Sequence, residues 1–394
     1  MLRTDRSSGR SRMTRYVTFC VILAMIATLS PGVAAAVAES TPVLSISVHG
    51  NHLVNGSGQK VQLRGVNRDG TEYACVQGWG IFDGPSDAAS VKAIASWHAN
   101  AVRIPMNEDC WLGINGVDSQ YGGAAYQTAI ENYVSLLNKH GLYAILDLAV
   151  VDPGTTEATG EQPMPDEDHS PAFWTSVATA FKDDPAALFD LYNEPYPEDN
   201  SDTPAAWECW EMGSAGGTCT DESYQVAGMQ ELVDTVRQTG ATNVIMLGGI
   251  GYASVLDDWS AYAPSDPSGQ LTASFHNYTY GGCTTSTCWS TNLTDIGKVP
   301  LITDEFGVTA SYTKSYAKWA DSAGVSYLAW TWDVWQGGCE SSSSSAGGGT
   351  TAVACTCEND ESLISNYDGA PCAGHGVVYK KHLEAVYEQA SRAG

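Results

Sequence analysis

The stretch "LFDLYNEPYPEDN", residues 188–200, joins an apolar run to an abrupt polar end. Its first five residues have the character of a buried strand, and Asn193 and Glu194 follow them directly. Pro195 then ends the strand, because proline has no backbone N–H to donate within a sheet. An amide and a carboxylate at the end of a buried strand predict functional groups at the edge of a parallel sheet.

Eight short apolar runs, this one among them, recur along the chain with helix-like segments between most of them. They are continuous rather than alternating, as expected of strands covered on both faces. Strands that alternate with helices build a parallel sheet, and eight strands predict a closed (β/α)8 barrel. An open doubly wound sheet is the alternative, but no G-x-G-x-x-G follows the first strand. The predicted strands are 61–67, 100–107, 142–150, 187–194, 243–249, 271–278, 299–307 and 325–333, and the predicted helices are 86–99, 126–141, 170–185, 222–239, 312–323 and 379–391.

Two further segments stand outside this alternation. Residues 43–60 resemble a hairpin that turns at Asn55-Gly56, and we expect this hairpin to close the bottom of the barrel. The low-complexity stretch "ESSSSSAGGG", residues 340–349, is interpreted as a long surface loop after the eighth strand rather than a linker to a second domain.

The first 38 residues differ in composition from the rest. An arginine-rich start precedes the apolar stretch 16–29, and small residues around Ala36 and Ala38 would suit a signal peptidase. A membrane anchor is the alternative, but the apolar stretch falls short of the roughly 20 residues that a spanning helix needs. We therefore predict a signal peptide over 1–38, a single barrel domain over 39–394, and a secreted protein.

The chain is strongly acidic. It has 394 residues, with 19 Lys and Arg against 45 Asp and Glu, and a formal net charge of −26. Such a surface would repel nucleic acid and anionic membranes, and it suits a neutral substrate. We expect no nucleic-acid partner, and no membrane partner after signal cleavage.

Ten cysteines remain beyond Cys20, and an even number in an exported chain predicts disulfides. Cys209 with Cys219, and Cys283 with Cys288, are plausible local pairs. Zinc bound by Cys339, Cys355, Cys357 and Cys372 is the alternative, but their spacing fits no familiar zinc site. No cofactor or metal is predicted.

Polar side chains stand at the carboxyl ends of most predicted strands, which form the catalytic face of a (β/α)8 barrel. Two carboxylates, Glu194 and Glu305, end the fourth and seventh strands. Glycoside hydrolysis needs such a pair: one carboxyl protonates the leaving oxygen, and the other attacks the anomeric carbon or activates water. Asp304 is expected to point the other way, because side chains alternate along a strand. The strand-end residues are Asn67, Arg103, Asn193, Glu194, His276, Tyr278, Glu305 and Trp332.

The ordered set of these motifs resembles glycoside hydrolase family 5, in the clan of retaining (β/α)8 enzymes. It covers the chain from about residue 43. The motifs are "LRGVN" (63–67), "AVRIPMN" (101–107), "LYNEP" (191–195), "FHNY" (275–278), "ITDEFG" (302–307) and "WTW" (330–332).

The resemblance implies a role for each strand-end residue. Glu194 would be the acid/base and Glu305 the nucleophile. Asn193 would bind the sugar 2-hydroxyl, and Arg103 would keep Glu305 ionised and in place. His276 and Tyr278 would line the sugar-binding subsite, and Tyr278 would also touch Glu305. Trp332 would stack on the sugar, or Trp330, which points to the same side of the strand, would do so instead.

The chain departs from the family pattern after the third strand. The family has a histidine there, in a phrase like "LDLH", whereas this chain reads "LDLAVVDPG" with Ala149 in its place. We expect Asp152 or the acidic loop up to Ser170 to compensate. Trp207 and Trp210, within a predicted disulfide loop, are interpreted either as sugar-stacking platforms or as the loop's own core.

The predicted activity is that of a secreted, retaining endo-β-1,4-glucanase, a monomer that binds a polysaccharide or oligosaccharide. A β-mannanase, a xyloglucanase or an exo-β-glycosidase would use the same fold and carboxylates. A catalytically silent carbohydrate-binding barrel is the alternative from another class of protein.

Overall fold

The computed structural model describes residues 44–334 and 361–393. Eight parallel strands close into a barrel, so the predicted architecture is confirmed. Around the barrel the order is β10-β11-β4-β5-β6-β7-β8-β9. The barrel strands are β4 (Arg64–Asn67), β5 (Ala101–Asn107), β6 (Tyr143–Val150), β7 (Ala187–Asp190), β8 (Ile245–Gly248), β9 (Leu271–Asn277), β10 (Leu301–Phe306) and β11 (Ser326–Ala329).

The barrel strands are buried because the closed sheet has no solvent-facing side. Every residue of β5, β6, β9 and β10 is buried, with the inner face filling the barrel and the outer face covered by helices. This explains why the strands read as continuous apolar runs. The few polar residues within them are therefore buried as well.

The helices surround the barrel, and all six predicted helices are present. α7 begins at Met229 instead of near residue 222, because the preceding segment is extended and Val226 forms a bridge with Asp166. The helices are α1 (Ala88–Ala95), α2 (Glu108–Leu112), α3 (Ala124–Lys139), α4 (Ser170–Phe181), α5 (Pro197–Asn200), α6 (Pro204–Met212), α7 (Met229–Gln238), α8 (Ile250–Ala253), α9 (Trp259–Tyr262), α10 (Ser286–Asp295), α11 (Ala310–Ala323) and α12 (His375–Ala393).

A small antiparallel sheet closes the amino-terminal end of the barrel, as predicted. It has three strands, β1 (Ile46–His49), β2 (His52–Asn55) and β3 (Lys60–Val61), so one further turn precedes the expected turn after Asn55. Ile46 and Leu53 join an apolar cluster with residues of the barrel strands, and the Ile46 N–H donates to Pro185 O at 2.9 Å. A second small sheet pairs β12 (Ile364–Asn366) with β13 (Ala370–Pro371). Because the sheet of β1, β2 and β3 covers the amino-terminal ends of the barrel strands, the open end of the barrel is the one at their carboxyl ends.

The disulfide prediction is confirmed where the structure describes the cysteines. Cys209–Cys219 and Cys283–Cys288 are bonded as expected. A third bond joins Cys75 to Cys110, and Cys372 is also disulfide-bonded. The other three cysteines of the zinc alternative lie outside the described residues.

Trp207 and Trp210 form the core of their own loop. Both side chains are fully buried, and their indole N–H groups donate to Asp202 Oδ1 at 2.9 Å and to Gly248 O at 3.0 Å. Trp207 also stacks on Tyr262. The interpretation as exposed sugar platforms is therefore wrong.

Two predicted segments, the signal peptide over 1–38 and the serine-rich loop over 340–349, lie outside the described residues. Among the residues that are described, no helix has both the length and the apolar character required to cross a bilayer.

Candidate active site

Arg103 lies inside the barrel on β5 and is fully buried. Its guanidinium donates from Nε to Asp190 Oδ2, from Nη2 to Asn193 Oδ1 and from Nη1 to Glu305 Oε1, each at 2.8 Å. Nη1 also donates to Asn67 Oδ1 at 3.2 Å. These contacts bring together side chains from β4, β5, β7 and β10 and from the segment that follows β7.

Two aspartates that complete this network were not predicted. Asp147 on β6 places Oδ1 3.1 Å from Arg103 Nη2, and Asp190 on β7 receives the Nε bond. Burial raises the pKa of Asp147 to about 8 against the pull of Arg103. Burial also opposes the charge of Arg103, but the carboxylates of Asp147 and Asp190 outweigh it and raise its pKa. The sequence signal was an acidic residue inside an otherwise apolar predicted strand.

Glu305 is held by a hydrogen bond on each carboxylate oxygen. Arg103 Nη1 donates to Oε1 at 2.8 Å, and the Tyr278 hydroxyl donates to Oε2 at 2.6 Å. Burial raises the pKa of Glu305, and the negative charge of Glu194 adds to that effect. The positive charges of His276 and Arg103 and the bond from Tyr278 act in the opposite direction. The carboxylate is thus fixed in place beside two cations.

Glu194 approaches Glu305 across the imidazole of His276. His276 Nδ1 lies 2.7 Å from Glu194 Oε1 and 3.5 Å from Glu305 Oε2. One carboxylate oxygen from each glutamate and one ring nitrogen of His276 all lie within 4.8 Å of one another. The Glu194 side chain is 19% exposed against 7% for Glu305, so Glu194 is the more accessible of the two carboxyls.

The side chains of Glu194, His276 and Glu305 could offer ligands to a metal ion. Burial opposes protonation of His276, but Glu305, Asp304 and Glu194 outweigh it and raise its pKa. A protonated imidazole donates hydrogen bonds and cannot ligate a metal. The charges around His276 therefore favour its protonated form, in which Nδ1 donates a hydrogen bond to Glu194 Oε1.

Asp304 corrects one expectation from the sequence. It was predicted to point away from Glu305, yet its Oδ2 lies 3.7 Å from His276 Nε2 and 3.8 Å from Arg103 Nε. The strand register shifts between Ile302 and Glu305 against β9, and an irregularity of this kind breaks the alternation of side chains. Burial opposes its charge, but His276 and Arg103 lower the pKa of Asp304.

The two candidate tryptophans differ in exposure. Trp332 is fully buried, packs edge-on against Trp97 at 4.8 Å and donates its backbone N–H to Asn67 O. It has no free face for a sugar, so its expected stacking role does not fit the structure. Trp330 directly follows β11 and is partly exposed. Trp330 is therefore the one of these two tryptophans that a ligand could reach.

Further aromatic rings surround the site. Tyr280 is 72% exposed and stacks on Tyr278, with ring centroids 5.1 Å apart and planes within 7°. Tyr252, 41% exposed, stacks on Tyr196, two residues after Glu194, at 4.4 Å. These flat apolar surfaces next to the carboxylates are suited to the faces of sugar rings.

A third carboxylate also reaches the site and was not singled out from the sequence. Glu161, in the loop after β6, accepts a hydrogen bond from Asn193 Nδ2 at 2.9 Å. The acidic residues of this loop show no sequence pattern that would select Glu161 among them. Only the folded structure brings it to Asn193.

A family model described as Cellulase (glycosyl hydrolase family 5) matches residues 54–336, well over half of the chain. The chain belongs to glycosyl hydrolase family 5. The matched region begins in the small sheet below the barrel and covers all eight barrel strands, including the segments that carry Arg103, Glu194 and Glu305.

Family 5 relatives among characterised proteins are distant. Endoglucanase MaCel5A of Microbulbifer sp. is 23% identical over 211 residues, which cover 53% of this chain and 33% of the relative. Endoglucanase E-5 of Thermobifida fusca is 23% identical over 211 residues, with 53% and 36% coverage. The chain thus spans about a third of the length of these relatives.

Solved family 5 structures share the fold. The β-glucanase SdGluc5_26A from Saccharophagus degradans, solved with cellotetraose, has a TM-score of 0.61 at 17% identity and covers 91% of this chain and 99% of its own. A hyperthermophilic endocellulase from Pyrococcus horikoshii has a TM-score of 0.62 at 16% identity, with 87% and 99% coverage. At such identities the likeness extends to the fold and no further.

Proposed function

We propose that this protein is a retaining glycoside hydrolase that cuts β-1,4-linked glucan within the chain, an endo-β-1,4-glucanase. The observation that carries the proposal is the approach of a Glu194 oxygen to within 4.8 Å of a Glu305 oxygen. Retaining glycosidases hold their two carboxyls about 5–5.5 Å apart, whereas inverting ones leave about 6.5–9.5 Å for a water molecule.

In the first step Glu305 attacks the anomeric carbon while Glu194 protonates the leaving glycosidic oxygen. The C–O bond to the leaving sugar breaks as the bond from a Glu305 oxygen forms, which gives a covalent glycosyl ester. Arg103 and Tyr278 each bind one Glu305 oxygen, so the carboxylate enters the reaction already oriented. Glu194 is the more exposed carboxyl, which suits the group that must reach the leaving oxygen.

In the second step Glu194, now a carboxylate, removes a proton from a water molecule. The water oxygen attacks the anomeric carbon from the side that the leaving sugar vacated, and Glu305 departs as a carboxylate. Two inversions at the same carbon leave the β configuration unchanged. His276 holds Glu194 through its Nδ1 in both steps.

Asn193 binds the 2-hydroxyl of the sugar that reacts, and Trp330 stacks on that sugar. Trp330 takes this role in place of Trp332 because it is partly exposed. Asn193 is pre-positioned because Arg103 Nη2 binds its carbonyl oxygen at 2.8 Å. A fixed polar group costs less to order when substrate binds.

A neutral glucan is supported by the net charge and by the relatives. A chain with a formal charge of −26 would repel an acidic polysaccharide. Two characterised relatives are named endoglucanases, and the Saccharophagus structure is a β-glucanase that holds cellotetraose. The protein acts as a secreted monomer, in keeping with disulfides such as Cys75–Cys110, which persist in oxidising compartments.

The test is reducing-sugar release from soluble β-glucan, xyloglucan, xylan and mannan, with Glu305→Ala, Glu194→Ala and the exposed-helix control Glu131→Gln. We expect release from β-glucan by the parent and by Glu131→Gln only, with an initial product that NMR identifies as the β anomer. Release from mannan or xyloglucan instead would reassign the substrate. Binding without release on every polymer would identify a silent carbohydrate-binding barrel.

A further inference from the structure

The loop between β6 and α4 folds back over the end of its own strand. Ala149, near the end of β6, is buried and packs in a small apolar cluster with Val150 and Ala158. Ala158 is fully buried there. The histidine of the family pattern would need a volume at position 149 that Ala158 now shares. The small side chain of Ala149 therefore allows the loop to pack onto the strand end.

Hydrogen bonds from residues at the end of β5 hold the loop at Ala158. Asn107 Nδ2 donates to Ala158 O at 2.7 Å, and the Ala158 N–H donates to Asp109 Oδ2 at 2.9 Å. Both partners lie at or just after the end of β5 and are buried. The backbone at residue 158 is thus fixed on both sides.

A second set of hydrogen bonds holds the loop just beyond Glu161. The Tyr192 hydroxyl donates to Gln162 O at 2.6 Å, and the Tyr196 N–H donates to Pro163 O at 2.9 Å. Both tyrosines flank Asn193 and Glu194 in the sequence. Glu161 therefore sits between two anchored points, the second of which belongs to the catalytic segment itself.

The Glu161 carboxyl is directed at the centre of the site. Its Oε1 accepts a hydrogen bond from Asn193 Nδ2, while Arg103 binds the Asn193 carbonyl oxygen. These two contacts fix which way the Asn193 amide points. Glu161 is an exposed residue, and among the described residues no group donates to its Oε2.

The charge of Glu161 belongs to the same site. Partial burial raises its pKa to about 7, with further contributions from the negative charges of Glu194 and Glu305, while His276 acts in the opposite direction. An isolated surface carboxylate would titrate near its ordinary value of about 4.3. Glu161 also bonds Asn193, the residue directly before Glu194, so its carboxyl lies next to the proposed acid/base segment.

We propose that Glu161 is a substrate-binding residue of this site. One carboxylate oxygen fixes the Asn193 amide, and the other accepts a hydroxyl of the sugar held beside Glu194 and Glu305. The proposal rests on the proposed glycosidase function and assigns to the loop the polar contact that Ala149 cannot make.

The first test compares Glu161→Ala and Glu161→Gln with Glu167→Gln, a control at an exposed acid of the same loop. A hydrogen bond to a charged group is worth about 1.5–3 kcal/mol, which corresponds to a factor of roughly 10 to 150. We expect Glu161→Ala to lose kcat/KM on β-glucan within that range. Glu161→Gln, which retains an acceptor for Asn193, should lose less, and Glu167→Gln should match the parent. Thermal unfolding midpoints should stay within about 2 °C, because Glu161 is exposed.

The second test measures cellotetraose binding by calorimetry in the Glu305→Ala background, so that it does not depend on turnover. Adding Glu161→Ala should weaken binding at least tenfold. Binding should also weaken as pH falls from 8 to 6 when Glu161 is present and change less with Glu161→Gln. Glu194 and His276 also face the ligand, but both are present in each of the two proteins, so the difference isolates Glu161.

The outcomes separate the two proposals. If the parent releases no sugar yet Glu161→Ala still weakens cellotetraose binding, the glycosidase proposal fails and the binding role of Glu161 stands. If the parent is active and the Glu161 variants match it in kcat/KM, binding and pH response, the binding role is overturned. If Glu305→Ala binds no cellotetraose and the parent is inactive, both proposals fail.

Discussion

Tyr278→Phe removes a single hydrogen bond to the proposed nucleophile and leaves the ring in place. The Tyr278 hydroxyl donates to Glu305 Oε2 at 2.6 Å, a length typical of an O–H bond to a charged oxygen. Both residues are buried, so water would not readily replace the lost donor. The remaining bond to Glu305 comes from Arg103, which holds the other oxygen.

The expected magnitude follows from the energy of that bond. A hydrogen bond to a charged group contributes about 1.5–3 kcal/mol, which corresponds to a factor of roughly 10 to 150. The bond from Tyr278 favours the charged form of Glu305, so its loss should raise the pKa of Glu305. Because only ionised Glu305 can attack, the acid limb of the kcat/KM profile should move to higher pH, and kcat/KM below that limb should fall by up to this factor.

The assay is kcat/KM between pH 4 and 9 on the polymer that the parent hydrolyses. Tyr280→Phe is the matched control, because it removes a phenol oxygen two residues away while keeping the stacked ring pair. Its acid limb should overlie that of the parent. If the limb of Tyr278→Phe also coincides with the parent's while Glu305 is still required for activity, the assigned role of the hydroxyl is wrong.

Three further predictions concern stability and loop packing. Trp332→Ala should lower the free energy of unfolding by about 3–5 kcal/mol in chemical denaturation, because it leaves a cavity at a buried site. Trp330→Ala should mainly raise KM in steady-state kinetics. Replacing Cys209 and Cys219 together by Ser should cost about 2–4 kcal/mol in the same denaturation assay, and an unchanged midpoint would contradict a stabilising bond there. Ala149→His should displace the loop that packs on it and reduce kcat/KM at least tenfold; a fully active variant with the loop unmoved in a crystal structure would contradict the packing argument.

The barrel was predictable because its signal is local. Each strand is a short apolar run, and closure of the sheet buries both faces, so the runs needed no alternation to be recognised. The strand-end residues were predictable for a related reason. In a parallel barrel, residues such as Asn193 and Glu305 at successive carboxyl ends must meet on one face whatever the loops do.

The errors arose where geometry departs from the regular pattern or depends on distant contacts. Alternation placed Asp304 away from Glu305, but the register shift in β10 turns it towards His276. Strand parity could not separate Trp330 from Trp332, because the strand ends at Ala329 and the chain beyond it is irregular. In each case the direction of the side chain depends on a backbone irregularity that the residue types do not predict.

Glu161 was missed for a different reason. The loop that contains it has several acids, and the sequence gives no means of ranking them. Its selection depends on packing between Ala149 and Ala158 and on hydrogen bonds from Tyr192 and Tyr196, which come from other parts of the chain. Such contacts exist only in the folded molecule.

The contacts of Arg103 affect how substrate preference can be changed by mutation. A single guanidinium joins side chains from β4, β6, β7 and β10 to its own strand, so the residues that orient the nucleophile also hold the barrel together. Selection for a new sugar at these positions would be opposed by loss of folding before any gain in specificity was visible. A directed-evolution library should therefore keep this network constant and vary the loops after β6 and β8, where Glu161 and Tyr252 lie.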